Sequence, residues 1–541
     1  MNEILLIILA VLATSGRVLG LIGFSIVSGW FLAYIAIKNR WFESIFISIS
    51  EIFESVPVIA FFPIVLVIFI TNVGGELGVE LAADFLVFTA VVWNLWLGEY
   101  QAFKTIPKEM VEVADNYNYS LLERLKFVYI PFSIPRIAAN LFPSVSDGFF
   151  YITVSEVFSI GITTYETFGV GSILDKYVAS GNTFLIGVTL VVLGIVVSVI
   201  VISLKEIAKR AVAKYALDTD VPIIRRGKPR FRQSATFSAI ASINPLGKLA
   251  TYNRINRRKN VDLETLYYKE GKKKNYAIVG AIIGIVILVL LIYETIRITT
   301  SISMGEWGYL LGKTPYLLVN LLYDYIRVAV ITLVSTAFAI FFGYYMATHR
   351  KVESAAIPLI QGFSAYPVPT YFPFLFFAVY PFIASSFGTL TDEFFVLGLG
   401  FISTFYYVFY SFWMGIKAMP VEYEELMKNL NLGYFKRLRY IVFPSTFPYL
   451  VTGISSTINS AWGGLMIGEY WPDIAGGKTL TVQFGLMKVI DQATANGNIA
   501  LAAWGSFIFA IIVAIYSILF TRKMMDLARK KYVAEEGIYS A

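Results

Sequence analysis

Ionisable side chains inside long apolar runs are the first candidates for chemistry in this sequence, because a charge within hydrocarbon is costly and is usually kept for function. Arg17 and Arg327 lie within such runs, and Glu156 and Glu469 lie towards the ends of two others. Two arginines that face each other across a membrane path would attract an anion. The alternative is that each arginine reaches towards water or pairs with a neighbour, and Asp324, three residues before Arg327, is such a neighbour on a helix.

The groups that most enzymes use for covalent or metal chemistry are missing. The sequence has no Cys and a single His, His349, which excludes thiolate nucleophiles, thiolate metal sites and multi-histidine metal sites. The nearest trace of a phosphate-binding loop is Gly477-Lys478-Thr479, but Pro472 stands where the first glycine is needed. We therefore expect no cofactor on this chain, no catalytic residues and no enzyme activity of its own.

The elements that position these residues are membrane helices. Of the 541 residues, 57% are hydrophobic and 15% are charged, and the mean hydropathy is +0.68. An ordinary soluble domain carries about 25% charged residues, so the composition predicts an all-α polytopic membrane protein. About eleven apolar runs are long enough to cross the hydrocarbon: 8–37, 45–70, 84–105, 133–158, 183–204, 276–296, 322–347, 354–383, 393–416, 447–470 and 499–521.

Lys and Arg predict the orientation of these runs. One alternate set of connections and the C-terminal tail hold 36 of the 44 basic residues, and the opposite set holds five. Because basic loops stay in the cytoplasm, the N-terminus is expected outside and the C-terminus inside. The stretch 205–274 alone carries 18 Lys and Arg, and we interpret it as a cytoplasmic linker held near anionic lipid, with no nucleic-acid partner.

The chain contains an internal duplication. Several residue types recur at an offset of 310 or 313 residues, which is hard to obtain by chance. The pairs at 310 are Arg17 and Arg327, Glu43 and Glu353, Pro57 and Pro367, and Pro63 and Pro373; those at 313 are Pro107 and Pro420, Glu112 and Glu425, Asn118 and Asn431, Pro131 and Pro444, and Glu156 and Glu469.

The repeats are expected to lie parallel to each other. Each repeat contains five helices, so two adjacent copies would face opposite ways across the membrane. The extra run 276–296 precedes the second copy and restores the orientation of the first. The predicted organisation is a first repeat at 1–204, the linker at 205–274 and a second repeat at 275–541, packed about an axis along the membrane normal.

A cytoplasmic segment between the third and fourth helices also repeats, at 106–135 and at 419–448. In the first copy Pro107 suits the first turn of a short helix over 108–117, and Asn118 suits the left-handed conformation that closes a helix. Ser120 and Glu123 then form the capping box of a second helix, and Pro131 marks the return to the membrane. The second copy has the same layout without the capping box, so each copy predicts a helix–turn–helix elbow.

These elbows resemble the EAA loop of permease subunits in binding-protein-dependent ABC importers. The first copy matches that pattern as Glu112-Val113-Ala114 with Asn118 and Ile130-Pro131, and the second as Glu425-Leu426-Met427 with Asn431 and Phe443-Pro444. Asn replaces the family's Gly in both copies, and the second copy lacks both alanines. The resemblance covers nearly the whole chain and implies a duplicated permease.

The resemblance also implies partners and a substrate class. Each elbow would dock with one of two cytoplasmic ABC ATPase subunits, which hold ATP and Mg, and an external solute-binding protein would deliver the solute. The segments VPVIAFFPIVL and YPVPTYFPFLF look like the nitrate, sulfonate and taurine group of permeases, so the expected cargo is an anion. The protein would reside in the cell membrane as a multi-pass component.

The translocation path is expected beside the proline-rich helix breaks, because proline frees backbone carbonyls next to cavities. The candidates are Pro57, Pro63, Pro367 and Pro373, together with Arg17, Arg327, Glu156 and Glu469.

Three other interpretations stay open at this point. The elbows could be membrane-surface connectors, the chain could be an ion-coupled secondary transporter with a duplicated fold, or it could be a scaffold that acts through 205–274.

Overall fold

The computed structural model describes residues 3–55, 62–160, 163–215, 302–417, 419, 421–475 and 477–532. Residues Met1–Ile223 and Lys313–Ala541 form one compact unit, so both predicted repeats belong to the same body. Residues Ile224–Gly312 form a second unit, of which 302–312 are described as the start of a helix. The predicted span 276–296 and the linker beyond residue 215 lie outside the described residues.

The first repeat contains nine helices in the described part of the chain. They are α1 (Glu3–Lys38), α2 (Arg40–Ser55), α3 (Phe62–Asn72), α4 (Gly75–Lys104), α5 (Lys108–Asn116), α6 (Leu121–Arg124), α7 (Ile130–Ser155), α8 (Val170–Ala179) and α9 (Thr183–Tyr215). A π-helical turn at Leu125–Tyr129 joins α6 to α7 without a break.

The second repeat follows the same order, with each helix numbered nine above its counterpart. The helices are α10 (Met304–Thr348), α11 (Arg350–Ala365), α12 (Val368–Phe387), α13 (Thr391–Lys417), α14 (Val421–Asn429), α15 (Tyr434–Arg437), α16 (Phe443–Gly468), α17 (Leu486–Ala495) and α18 (Ile499–Tyr532). A π turn at Leu438–Val442 again joins α15 to α16.

Seven helical stretches of the described residues are long and apolar enough to span a membrane. One run that the sequence predicts as a single span is divided, and of another the structure describes two separate parts. The run 354–383 is broken at Tyr366–Pro367, where α11 ends and α12 begins, and the run 45–70 is shared between α2 and α3. The polar face of α2 explains its departure from a spanning helix, since apolar and polar residues alternate along it with the helical period.

Each repeat of this mainly helical protein also carries a short two-stranded antiparallel hairpin after its α7-type helix, which the sequence did not indicate. Strand β1 (Val157–Ile160) pairs with β2 (Thr163–Glu166), and β3 (Tyr470–Ala475) pairs with β4 (Lys478–Thr481). The glycine at 477 adopts φ +74°, a conformation that suits a tight hairpin turn. Both hairpins connect a long helix to a short one, α8 or α17.

Helix packing forms the core of each repeat. In the second repeat α13 and α16 approach so closely that the Cα of Gly400 lies 3.2 Å from where a Cβ on Gly464 would stand. Small residues permit such close approach between membrane helices. The two repeats meet where α11 and α12 pack on α7, and where α2 and α3 pack on α18.

Candidate functional site

The first elbow has the geometry that its sequence predicts. Helix α5 ends in two backbone hydrogen bonds, from the N–H of Tyr119 to the carbonyl of Ala114 (3.0 Å) and from the N–H of Asn118 to the carbonyl of Asp115 (2.9 Å). Asn118 adopts φ +49°, the left-handed conformation predicted for it. These bonds form a Schellman motif, which ends the helix sharply and turns the chain. The capping box follows, since the Ser120 N–H donates to the Glu123 carboxylate (2.9 Å).

The second elbow repeats this turn with different residues. The N–H of Leu432 donates to the carbonyl of Met427 (3.3 Å), and the N–H of Asn431 donates to the carbonyl of Lys428 (3.1 Å). Asn431 adopts φ +45°. Met427 is buried, as is Ala114 at the equivalent position, so both helices turn the same side towards the protein. Pro131 and Pro444 lie in the first turn of α7 and α16, as expected, and Pro420 lies outside the described residues.

The opposite side of each short helix faces away from the protein. Glu112 and Glu425 are exposed, and each precedes the buried residue of its helix by two positions, about 200° around the helix axis. Large apolar side chains on the elbows are also exposed, and they fall at the same 313-residue offset. These pairs are Val113 and Leu426, Tyr117 and Leu430, Leu122 and Phe435, and Phe127 and Tyr440.

Arginines hold the turns of both elbows in place. The Arg124 Nε donates to the carbonyl of Tyr119 (2.8 Å), and its guanidinium pairs with Asp115. At the equivalent position the Arg437 Nε donates to the carbonyl of Leu432 (2.5 Å). A charged donor on a backbone carbonyl gives a hydrogen bond stronger than a neutral one, so the bend is fixed by the chain itself.

In each repeat a carboxylate binds the end of the helix that leads into the elbow. Glu43, at the start of α2, pairs with Lys104 and accepts a hydrogen bond from the Tyr100 hydroxyl (2.5 Å), both at the end of α4. These two hydrogen bonds, the larger from Lys104, hold the pKa of Glu43 below its ordinary value, so the carboxylate is ionised at neutral pH. In the second repeat Glu353 pairs with Lys417 (2.7 Å) and accepts from the Trp413 indole (2.8 Å). Each tie lies just before an elbow.

Near the middle of α1, Arg17 belongs to a cluster of polar side chains. Its guanidinium is 2.5 Å from the Glu80 carboxylate and 3.6 Å from that of Glu156. The Thr14 hydroxyl donates to Glu156 (2.6 Å), and the backbone N–H of Gly171 donates to the other oxygen of Glu156 (2.6 Å). Glu156 is fully buried, where an unpaired negative charge would be costly. The Arg17 guanidinium balances this charge within the cluster.

The equivalent cluster around Arg327 contains one more carboxylate. The guanidinium donates to Glu469 (2.9 Å) and to Glu393 (2.5 Å), and lies 3.3 Å from Asp324. The backbone N–H of Lys488 donates to Glu469 (3.2 Å). Glu469 and Asp324 are fully buried. Within the described ranges no group of His, Asp or Glu side chains is placed to hold a metal ion, and the cation at the centre of this cluster is the arginine.

The Arg17 and Arg327 clusters bind the first turns of the short helices that follow the hairpins, α8 and α17. Backbone N–H groups at the start of α8 and α17 point to the carboxylates, where a helix N-terminus favours negative charge. A Cβ on Gly169 would lie 1.9 Å from a Glu156 oxygen, and one on Gly485 would lie 2.1 Å from a Glu469 oxygen. A larger residue at either position would have to displace the carboxylate from its cluster.

These contacts locate the charged residues predicted to line a path. The structure brings Arg17 together with Glu156, and Arg327 with Glu469, within each repeat; the two glutamates directly follow the last residues of α7 and α16. Arg17 donates hydrogen bonds to Glu80 and Thr167, and Arg327 donates to Asp324, Glu393, Glu469 and the Phe484 carbonyl. The sequence interpretation missed Glu80 and Glu393, although their 313-residue offset was visible.

The proline-rich breaks lie elsewhere, and one of them lies between the repeats. Pro367 separates α11 from α12, and Pro373 lies inside α12. Ser364, just before the break, accepts a hydrogen bond at its carbonyl from the Ser146 hydroxyl of α7. Pro63 is in α3, and Pro57 lies outside the described residues. The Pro367 break is thus in direct contact with the opposite repeat.

Two like repeats of long apolar helices, each with a surface elbow, define a duplicated multi-pass membrane protein of the transport type. A family model described as "Binding-protein-dependent transport system inner membrane component" matches residues 25–214 and 335–532, more than half of the chain. The chain belongs to this family, whose members are permease components of ABC importers in the cell membrane. A search of curated proteins finds no match for the sequence.

Proposed function

We propose that this chain supplies the whole membrane domain of an ATP-driven importer, and that its two elbows dock with two cytoplasmic ATPase subunits. The N-terminus lies outside in this arrangement and the C-terminus inside. Closure of the two ATPases rocks the repeats against each other, so that a path between them opens alternately to the two sides. ATP and Mg are held by the ATPases, and an external solute-binding protein delivers the cargo.

The twin elbows are the observation that carries this proposal. Each presents an exposed Glu beside exposed apolar side chains, and the pattern repeats at one offset. Apolar side chains turned to water at matched positions mark a protein interaction surface. A pure membrane connector needs no repeated acidic residue. The fixed turns, and the ion pairs Glu43–Lys104 and Glu353–Lys417 beside them, would transmit motion from each elbow to the spanning helices.

The substrate class depends on the resemblance. An anion such as nitrate or a sulfonate is the cargo that the similar permeases favour. The two arginines no longer add support to it, because both are engaged by carboxylates. The ion-coupled transporter remains the competing function, and it differs from the proposal in needing no ATPase.

The decisive measurement is ATPase stimulation by the full chain in lipid nanodiscs with its ATPase subunit. The double variant Glu112→Ala/Glu425→Ala should lose co-purification and stimulated hydrolysis, since it removes the exposed carboxylate from both docking helices. Alanine is a better helix former than glutamate, so the elbows themselves should remain folded.

The matched control is Glu109→Ala/Glu422→Ala, which removes one exposed carboxylate from each of the same two helices, three positions earlier. It should keep most of the stimulation. A wild-type chain that is folded but neither binds nor stimulates the ATPase would refute the importer and favour the ion-coupled transporter.

A further inference from the structure

A groove lies at the end of the molecule opposite to the elbows. It has a volume of about 300 Å³ and lies between the start of α1 and the short helix α8. Its apolar lining consists of Leu6, Phe168, Ile173 and Tyr177. Helix α1 ends about 48 Å further along its axis, at Lys38, where the chain enters α2 and the Glu43 contact beside the first elbow. In the proposed importer the groove therefore faces outside.

Charged side chains show that the groove opens to water. Glu166 of β2 and Lys176 of α8 line it, and both are exposed. In the described part of the chain neither of them forms an ion pair. A lone charge in hydrocarbon is costly, so a groove covered by lipid tails would not carry two of them. Phe168 is 46% exposed in the same groove, so nearly half of an aromatic side chain is left uncovered on a surface that faces water.

The size and lining of the groove favour a side chain of a protein partner over a small molecule. Small-molecule sites enclose about 300–1,000 Å³ and bury most of the ligand. This groove is at the lower limit and is open where Glu166 and Lys176 are exposed. An apolar pocket with a polar rim is the arrangement that receives an anchoring residue at protein interfaces. The partner should therefore present an apolar side chain between a basic residue, which meets Glu166, and an acidic residue, which meets Lys176.

In the second repeat the equivalent phenylalanine is covered. An offset of 316 residues, the one that relates α8 to α17, places Phe484 at the position of Phe168. The Phe484 ring stacks on that of Tyr323, with 4.8 Å between their centroids and 17° between their planes. Ala13 takes the place of Tyr323 in the first repeat, at the offset of 310. An alanine offers no ring to stack on, which explains why Phe168 stays exposed.

A lysine also takes up space in the second repeat that the first repeat leaves open. Lys488 of α17 stands where α8 has Ser172, a residue that lines the groove. Its Nζ donates to the carbonyls of Val482 (2.8 Å) and Gln483 (3.3 Å), in the segment between β4 and α17. A partner that uses the groove can therefore distinguish the first repeat from the second.

We infer that the groove between α1 and α8 anchors the external solute-binding protein, with Phe168 as the central contact, and that it fixes the orientation of that protein on the two repeats. The inference rests on the proposed importer function and names the docking surface of its external partner. The duplication offers two orientations related by the pseudo-symmetry of the repeats. Only the one that places the apolar anchor of the binding protein over the first repeat gains the contact with Phe168.

The affinity of the full chain with its ATPase in nanodiscs for the purified solute-binding protein encoded beside it tests the groove. Phe168→Ala should weaken binding about tenfold, because a central aromatic contact carries much of the energy of an interface. Ser172→Lys should weaken binding similarly without removing an apolar contact, since it introduces the residue of the second repeat. The matched control is Phe184→Ala, which removes a phenylalanine that is 73% exposed at the start of α9, outside the groove, and should bind as wild type does.

Photocrosslinking identifies the occupant, with p-benzoylphenylalanine in place of Phe168 or of Phe484. The binding protein should be crosslinked from position 168 and not from position 484. Crosslinks only to lipid or to a second copy of the chain, equal crosslinking from both positions, or an unchanged affinity of Phe168→Ala would overturn the inference. Stimulation of the ATPase by the chain, measured on the same samples, reports the proposed function separately. Stimulation with an unchanged affinity refutes the groove alone, whereas a folded chain without stimulation refutes the importer.

Discussion

Arg327 lies among three carboxylates, two of which are fully buried, and its own side chain is 5% exposed. Arg17 makes equivalent contacts in a more solvent-exposed environment, where its own side chain is 19% exposed and that of Glu80 is 36% exposed. The same residue type at the same place in the repeat thus has two different energetic roles. Buried ion pairs are expensive to break, and exposed ones contribute little.

Replacing each arginine by methionine should separate these roles. Arg327→Met leaves buried carboxylates without a cation and should cost about 3–5 kcal/mol of stability. Arg17→Met should cost about 1 kcal/mol, because water screens Glu80 and the buried Glu156 keeps its hydrogen bonds from Thr14 and the Gly171 N–H. The measurement is the thermal unfolding midpoint of each variant in nanodiscs, followed by intrinsic fluorescence.

The matched control is the carboxylate side of the same pairs, Glu393→Gln against Glu80→Gln, which should show the same order. If both arginine variants kept the wild-type midpoint and lost only transport, the arginines would belong to the path and the anchoring role would be wrong.

Charge pairs of this kind are only partly predictable from sequence. Four charges stand out because they lie within apolar runs or near their ends: Arg17, Arg327, Glu156 and Glu469. Their partnership could not be derived, since it joins helices more than sixty residues apart. The contact between Asp147 and Tyr407 could not be predicted either, because nothing in the sequence around Asp147 indicates the tyrosine that the other repeat brings to it.

At the scale of the elements, the left-handed asparagines decide the shape of both elbows. Asn118 and Asn431 have φ near +47° on average, where an ordinary L residue is disfavoured by about 1–2 kcal/mol. Asn118→Gly/Asn431→Gly should retain the elbows and their binding to the ATPase, because glycine adopts this conformation freely. Asn118→Val/Asn431→Val should lose both. Limited proteolysis of the elbows and co-purification of the ATPase are the two measurements.

The control for this prediction lies two residues earlier. Asn116 and Asn429 end the short helices in ordinary helical conformation, at the same offset. Asn116→Val/Asn429→Val should bind the ATPase nearly as wild type does. Equal loss in both valine variants would show that side-chain size on the elbow surface matters, and not the backbone turn.

The elbows were predictable because local rules act within about twenty residues: a proline before a helix, an asparagine after it and a capping box. The continuous helix through the π turns at Leu125–Tyr129 and Leu438–Val442 has no comparable signal. The hairpins were missed because β1 and β2 are four residues each, too short for alternation to outweigh the apolar run before them.

For the whole molecule, the contacts between the repeats do not require a continuous chain. Side chains of α7 contact α11 and α13, and the Tyr366 hydroxyl donates to the carbonyl of Leu190 in α9 (2.7 Å). Residues Met1–Ile223 and Lys313–Ala541 are accordingly one compact unit. We therefore predict that the basic linker serves mainly to keep two complementary repeats at high local concentration.

Fragments 1–215 and 275–541, co-expressed without the intervening linker, should therefore associate and stimulate the ATPase, while neither fragment alone should do so. Helix contacts across α7, α11 and α13 replace the covalent connection, and the loss of local concentration should lower the yield rather than the specific activity. Co-purification through a tag on one fragment, followed by ATPase and uptake assays, provides the measurement.

Fragments that assemble but have lost all transport would assign the activity to the linker, as the scaffold interpretation requires. Retained transport would refute the scaffold interpretation, since such a scaffold could not act without the segment 205–274.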